Sequence, residues 1–464
     1  MAVLSAISEL VPATRADSVP GIQDLARLLY FSAGITKQRT YPGGEIYFRA
    51  AACTGALYEI ELYVACSDLP GLDAGVYHFN PADVSLRLLR KGDFRGNLAQ
   101  ATAMEPAVAH APATIICTGT YWRNAWKYQA RTYRHFGWDN GTLLANMLAV
   151  SAASRLPAKI VLGFVDADIN RLLDLDTRRE VTLCLVPIGR TLAGSRETSL
   201  AVPRETPALG LETIPLSEHE VEYPAMLEMH DASSLESAEE VNQWRGQPPS
   251  FPSSSLTPAL AGEAVGLPHL REEEQPKDTT EQVILRRGST RTFDRTASIT
   301  LAQLSTVLDC ARRGLPADFL EPPGAQLNDL YLIVHAVLGL KQGAYFFRRE
   351  QNTLELLKEG QFRTEAHHLG LEQELPADAC VDIFFLADLK RILECSGNRG
   401  YRAVQLEAGA IGGRIYLAAY AQHLGATGLT FFDDDVINFF SPHAKDKSAI
   451  FLLAIGKPLK RKPQ

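Results

Sequence analysis

Three arginines and a serine crowd into Leu285-Arg286-Arg287-Gly288-Ser289-Thr290-Arg291-Thr292-Phe293. Guanidinium forks pair bidentately with phosphate oxygens, and a serine hydroxyl adds a neutral donor, so Arg287, Ser289 and Arg291 suit a phosphate monoester. Standing alone, the same composition reads as a solvated basic turn. A second pair, Lys127-Tyr128, could remove a proton, since a buried lysine with lowered pKa or a tyrosine can serve as base. From the pair alone, a helix-terminal lysine beside an aromatic core residue is the plainer reading. No metal site is expected. Adjacent side chains such as His367-His368 do not share a helical face, and Asp433-Asp434-Asp435 reads as a solvated acidic run. Gly409-Ala410-Ile411-Gly412-Gly413 lies inside a helical pattern and not after a strand, which argues against a dinucleotide loop. No Ser-His-Asp spacing or H-E-x-x-H helix is present.

The elements that must position these residues are written twice. Residues 62–170 reappear in one unbroken register 268 positions further on. Leu62-Tyr63 returns as Leu330-Tyr331, and Gly75-x-Tyr77-x-Phe79 as Gly343-x-Tyr345-x-Phe347. Leu86-x-Leu88-Leu89-x-x-Gly92-x-Phe94-Arg95 returns as Leu354-x-Leu356-Leu357-x-x-Gly360-x-Phe362-Arg363. Arg131-x-Tyr133-Arg134, Gly141 and Ile169-Asn170 return as Arg399-x-Tyr401-Arg402, Gly409 and Ile437-Asn438. Solenoid repeats run about 20–50 residues, so this repeat is a whole domain. The expected molecule is an intramolecular pseudo-dimer, sufficient as a monomer, whose seam can draw different parts from each copy.

Composition is ordinary for a soluble chain. Of 464 residues, 46% are hydrophobic and 22% charged, and the net charge is −8. That balance gives no basic footprint for nucleic acid. Seven cysteines are scattered without C-x-x-C spacing, as in a reducing cytosol and unlike a disulfide framework or zinc site. The N-terminus has no basic leader, and no apolar run reaches the roughly 20 residues of a membrane span. A cytoplasmic location is expected.

Three regions follow: copy one over residues 1–189, a linker over 190–280, and copy two over 281–464. In copy one, residues 24–29 read as an amphipathic helix ending near Gly34. Residues 56–66, 75–79, 86–88, 113–118 and 181–186 read as strands, and 141–156 as a helix of small residues. Copy two repeats the order, with its long helix expected over 406–424. Such small faces let two helices approach closely, and the seam is the natural place for that. The linker is rich in Pro, Ser and Glu, as in Pro248-Pro249-Ser250, and contains one helix capped at Ser234 or Ser237 and running through Glu239, Val241 and Trp244.

An Arg-x-Ser-x-Arg segment ahead of a repeated domain resembles the FMN-dependent nitroreductase family, whose members begin with such a segment gripping the FMN phosphate. The resemblance implies an α+β fold, mainly antiparallel sheet flanked by helices, in two tandem nitroreductase-like domains. It also makes Arg287, Ser289 and Arg291 the phosphate ligands of FMN. Copy one is similar to the SagB-type dehydrogenases, flavin oxidases that turn peptide azolines into thiazoles and oxazoles. Arg49-Ala50-Ala51-Ala52-Cys53-Thr54-Gly55-Ala56-Leu57-Tyr58 matches their R-x-x-x-S-x-G-A-L-Y-P loop, so Arg49, Cys53, Thr54 and Gly55 are implied to cover the flavin. Cys53 stands for the usual Ser, and Glu59 for the usual Pro. Lys127-Tyr128-Gln129-Ala130-Arg131-Thr132-Tyr133-Arg134 matches their K-Y-x-x-R-x-Y-R segment, in which the Lys-Tyr pair is catalytic. A flavin ring needs a backbone N–H near N5, and the family takes it from the loop after the long helix. Here Thr430 and Phe431 occupy that loop. Lys457, Lys460 and Arg461 form a basic tail, either near the phosphate or simply solvated.

The copies have lost complementary parts. Copy one has only Arg15-Ala16-Asp17-Ser18 where a phosphate grip would stand. Copy two has Cys395-Ser396 in place of Lys127-Tyr128, and Pro322-Pro323-Gly324 in place of the covering loop. One competent site is expected, with the grip from copy two and the loop and Lys-Tyr pair from copy one. The resemblance implies hydride transfer from a peptide-derived azoline or similar small substrate, with other biosynthetic enzymes as partners. The competing readings are a broad NAD(P)H-dependent nitroreductase or quinone reductase and a flavin-binding scaffold within a biosynthetic complex.

Overall fold

The strand Ile60–Cys66 (β3) is buried on both faces, which accounts for its near-continuous apolar run. It is the centre of a sheet whose order is β5-β4-β3-β6-β7, antiparallel throughout, with β4 at Gly75–Asn80, β5 at Ser85–Lys91, β6 at Ala113–Thr120 and β7 at Glu180–Ile188. An antiparallel hairpin precedes it, formed by β1 (Ile35–Tyr41) and β2 (Gly44–Arg49). This is the computed structural model of the chain, and it describes residues 1–8, 18–190, 201–245, 262–268, 270–320 and 325–459. The linker residues 248–255, the turn 322–324, Lys460, Arg461, and Arg15 and Asp17 of the first copy lie outside the described residues.

The second sheet repeats the first. After a short linker strand β8 (Ala264–Gly266) and a parallel two-residue pair, β9 (Ile299–Thr300) with β11 (Val337–Leu338), the strands are β10 (Asp329–Val334), β12 (Gly343–Arg348), β13 (Thr353–Glu359), β14 (Val381–Ala387), β15 (Gly425–Leu429) and β16 (Ser448–Gly456). Their order is β15-β16-β14-β10-β12-β13-β8. Even the irregularities recur: the register shifts between Val76 and Tyr77 in the first sheet and between Ala344 and Tyr345 in the second. It shifts again between Cys117 and Thr118, and between Phe385 and Leu386. Bulges are reproducible features of a fold, and these two fall on the 268-residue register.

Between the sheets cross two long helices, Thr132–Ala153 and Arg399–Ala421, buried along almost their whole length. Both begin earlier than the apolar pattern suggests, because the arginines of their first turns are paired at the seam with carboxylates of the opposite copy. A Cβ on Gly141 would lie 2.4 Å from the backbone nitrogen of Ala410, and one on Gly409 would lie 2.4 Å from the carbonyl of Trp138. Glycine is therefore a packing requirement where the two backbones touch. Trp138 Nε1 donates to Gln405 Oε1 across the crossing at 2.7 Å, and the rings of Tyr133 and Tyr401 stack on each other.

The linker contributes more than one helix. Ala238–Arg245 has Ser237 Oγ accepting from Glu240 N–H, and a second helix, Pro224–Ala232, precedes it. Strand β8 pairs with the edge strand β13. No helix among the described residues is long and apolar enough to cross a membrane, and the seven cysteines are all free thiols.

Candidate active site at the seam

The helix Thr280–Arg286 starts with a capping box, Thr279 Oγ1 accepting from Gln282 N–H while Gln282 Oε1 accepts from Thr279 N–H. Its end delivers Arg287 into the seam. Arg287 is buried, and its Nε and Nη2 donate to the carbonyl of Ala50, in the first copy, at 2.9 and 2.7 Å. The guanidinium also lies over the Tyr416 ring, and its Nη1 is buried without a hydrogen-bond partner. Ser289 Oγ sits a long 3.4 Å from Tyr416 Oη. Arg291 is exposed and has no polar partner among the described residues. Arg286, by contrast, is committed to Asp278 and to the carbonyl of Tyr420.

A cation that the sequence reading missed joins this group. Lys37, on β1, donates to the carbonyls of Arg286 and Arg287. Burial, together with the neighbouring Arg287 and Arg39, pulls its pKa down from the ordinary lysine value. Nothing in Ile35-Thr36-Lys37-Gln38 announces this role; only the fold brings β1 to residue 287. The four groups fit an anion. An orphaned buried N–H of Arg287, the weakly engaged Ser289 hydroxyl and the Lys37 ammonium lie along one short stretch of chain, with the exposed Arg291 two residues beyond Ser289, and among the described residues no carboxylate is bonded to any of them.

Arg287 meets copy one at the segment that leads into the covering loop. Arg49 donates to the Ile60 carbonyl, pairs with Glu61 and stacks on Tyr58. Burial, followed by the nearby Cys53, pushes the Tyr58 phenol up to about 12, while Arg287 pulls the other way. Thr54 is held by Asp139 of the first long helix, through both its N–H and its hydroxyl. Gly55 has φ +65°, and a Cβ there would lie 2.8 Å from Tyr128 Oη. Tyr128 thus lies directly on the loop, and Gly55 is required both by its backbone and by that contact.

Lys127 and Tyr128 end the helix Tyr121–Tyr128. The structure corrects the expectation of a buried lysine: Lys127 is exposed, its ammonium 5.1 Å from the centre of the Tyr128 ring. Tyr128 is half-buried, edge-on to His135, and its hydroxyl makes no hydrogen bond among the described residues. Burial, reinforced by Arg131 and Arg134, lowers the pKa of His135 to about 3. His135 is therefore neutral at pH 7. Its Nδ1 meets the Asn124 side-chain amide at 2.9 Å.

Arg131 and Arg134 reach across to the loop expected to serve the flavin ring. Both pair with Asp433, and Arg131 also donates weakly to the Phe431 carbonyl. Phe431 is buried beneath the two guanidiniums and Trp138. Thr430 is half-buried beside it. The expected residues therefore fall into three groups: Arg287 with Ser289 and Arg291, the 49–58 loop with Tyr128, and Arg131 with Phe431. Each group joins residues of the two copies or touches a loop that does.

A cavity of about 870 Å³ opens on the outer face of the first sheet, between Glu61, Tyr63, His78 and Glu180 and the linker stretch 211–227. It touches the seam site only through Arg49 and Arg123. In the second copy the same face is filled by Phe346, Phe440 and His443 around Tyr331.

Residues 284–457 match the nitroreductase family. A candidate nitroreductase of Methanocaldococcus jannaschii is 26% identical over 171 residues, covering 37% of this chain and 81% of that protein. The crystal structure of a candidate nitroreductase from Anabaena variabilis superposes with a TM-score of 0.77 at 25% identity, covering 99% of this chain and 92% of the other. The α+β fold with antiparallel sheets flanked by helices is therefore that of nitroreductases along nearly the whole chain.

Proposed function

We propose that the chain is an FMN-dependent oxidoreductase of SagB type with one competent site at the seam, dehydrogenating a peptide-derived azoline or a similar small substrate. The observation that carries this reading is the bond from Arg287 to Ala50, which joins the anion-binding segment of one half to the loop on which Tyr128 of the other half rests. Arg287 Nη1, Ser289, Arg291 and Lys37 would hold the FMN phosphate. Bound FMN would supply the two-electron acceptor. Loop residues 49–58 exclude water from that position, and Asp139 keeps the loop closed through Thr54. Thr430 and Phe431, the latter against Arg131 and Arg134 of the other half, would offer backbone N–H groups to the flavin ring. The Tyr128 oxygen, free of other hydrogen bonds, is placed to take the proton from the substrate carbon once its own proton has passed to solvent on the side of the exposed Lys127. Delivery of such a substrate by a biosynthetic partner belongs to the same reading.

Purified protein should be yellow, and an azoline-containing peptide should bleach the flavin under anaerobic conditions. Rapid NAD(P)H oxidation with a nitroaromatic or quinone, and no bleaching by azoline peptides, would replace this reading with the generic reductase. The exposure of Lys127 and the names of the relatives favour that alternative.

A further inference from the structure

Cys53 and Glu59 are the two residues at which the covering loop departs from the resembling family, and the structure brings them together. Glu59 Oε2 lies 3.3 Å from Cys53 Sγ, and Asp139 Oδ2 lies 3.4 Å from the same sulfur. The three ligand atoms are all within 4.8 Å of one another. Tetrahedral coordination with Zn–S near 2.3 Å and Zn–O near 2.0 Å places sulfur and oxygen about 3.5 Å apart. The observed separations match that edge.

The buried negative charge here must be relieved, either by a proton shared between Glu59 and Asp139 or by a cation. Glu59 is fully buried and Asp139 nearly so, and one Glu59 oxygen, Oε1, has no hydrogen-bond partner. No lysine, arginine or histidine is hydrogen-bonded to Cys53, Glu59 or Asp139 among the described residues. Two buried carboxylates beside a thiol without a cation are costly. Meanwhile the outer contacts are already those of oriented ligands: Tyr58 N–H donates to Cys53 Sγ at 3.0 Å, and Thr54 N–H and hydroxyl donate to Asp139.

The second copy supplies an internal control. Glu407 occupies the position of Asp139 and is satisfied by the N–H groups of Leu327 and Asn328 and by the Asn328 amide. Leu327 occupies the position of Glu59, so among the described residues no second carboxylate meets Glu407. Capping the loop therefore needs only the helix carboxylate. Cys53 and Glu59 are additions specific to copy one.

We propose that Cys53, Glu59 and Asp139 form a binding site for a divalent ion of the Zn²⁺ class, with one coordination position open. The mixed thiolate–carboxylate set suits Zn²⁺ or Co²⁺ better than Mg²⁺ or Ca²⁺. Cys53 is only half-buried, which leaves a path for the ion. No C-x-x-C or H-x-x-H spacing could reveal the site, because its ligands come from a loop, a strand approach and a helix.

The test titrates the full-length protein, stripped with a chelator, with Co²⁺ and with Zn²⁺. One ion per chain should bind, and Co²⁺ should produce a near-ultraviolet thiolate-to-metal band that Zn²⁺ abolishes. Cys53→Ser should lose the band, and Glu59→Gln should lose stoichiometric binding, each with unchanged circular dichroism. Saturating Co²⁺ without a thiolate band in the unmodified protein overturns the proposal even if the variants fail to fold. Binding that survives both substitutions overturns it equally. Flavin content reports separately on the oxidoreductase reading.

Discussion

Arg287 donates two hydrogen bonds to the carbonyl of Ala50, a residue 237 positions away in the other half of the chain. A guanidinium so used has one nitrogen left over, and that nitrogen is buried and unpartnered. The seam is thus held by the same side chain that would receive the phosphate. Binding there and loop closure are expected to depend on each other.

The flavin stoichiometry should be one per chain. Flavin released on denaturation and quantified against protein measures it. A ratio near two would mean that the first copy carries a phosphate site of its own.

Arg291→Ala and Arg287→Ala should separate binding from packing. Arg291 is exposed, so its loss should weaken flavin retention by about ten- to a hundredfold, the worth of one charge-assisted contact of roughly 1.5–3 kcal/mol. Its melting temperature without flavin should not move. Arg287→Ala should lose flavin and also destabilise the chain, because the Ala50 carbonyl forfeits both its donors. Retention of flavin by both variants would reduce the segment to an ordinary basic turn.

Most of the strands and the α+β character of the fold were legible in the sequence because they depend on local patterns. The place of Lys37 was not, because it arises only where β1 meets residue 287. The exposure of Lys127 was equally hidden: a helix-terminal position says nothing about which side the seam leaves open. The early start of both long helices was missed for a related reason. Arginines at 131, 134, 399 and 402 look like surface residues, and they are instead clasped by carboxylates of the opposite copy.

Those clasps are unequal, and the difference predicts a pH response. Arg399 and Arg402 both pair with Asp166, whose side chain is 4% exposed, whereas Asp433 between Arg131 and Arg134 is 39% exposed. Burial alone would raise the Asp166 pKa, but Arg399 and Arg402 outweigh it and hold the carboxyl at about 2. The folded value lies below the unfolded one, so the clasp contributes fully above about pH 4 and is lost as pH falls toward 2. Its contribution is on the order of 2–3 kcal/mol. Asp166→Asn should cost ~3–5 kcal/mol by leaving two buried guanidiniums unpaired, and should flatten the acid limb of a denaturation curve measured against pH. An unchanged acid limb in Asp166→Asn would assign the acid sensitivity to other carboxylates.

Tyr128 and Lys127 distinguish substrate oxidation from generic flavin reduction. The Tyr128 hydroxyl rests on Gly55 and is free of other hydrogen bonds, and its position in the second copy is taken by Ser396, whose carbonyl is bound by Trp244. Tyr128→Phe and Lys127→Ala should keep FMN and remain reducible by dithionite. Turnover of the dehydrogenation substrate should fall by about 10²–10⁴-fold, the usual size of a general-base contribution. The loss should be larger for Tyr128→Phe, because the tyrosine is fixed against the loop while the lysine is solvated. Cys395→Ala and Ser396→Ala should change turnover little. Gly55→Ala combines a positive φ with a contact too short for a Cβ, so it should displace the Tyr128 ring and reproduce the Tyr128→Phe defect while both Lys127 and Tyr128 remain in place. Turnover indifferent to Tyr128, Lys127 and Gly55 together would leave the fold with a reductase site that takes no proton from carbon.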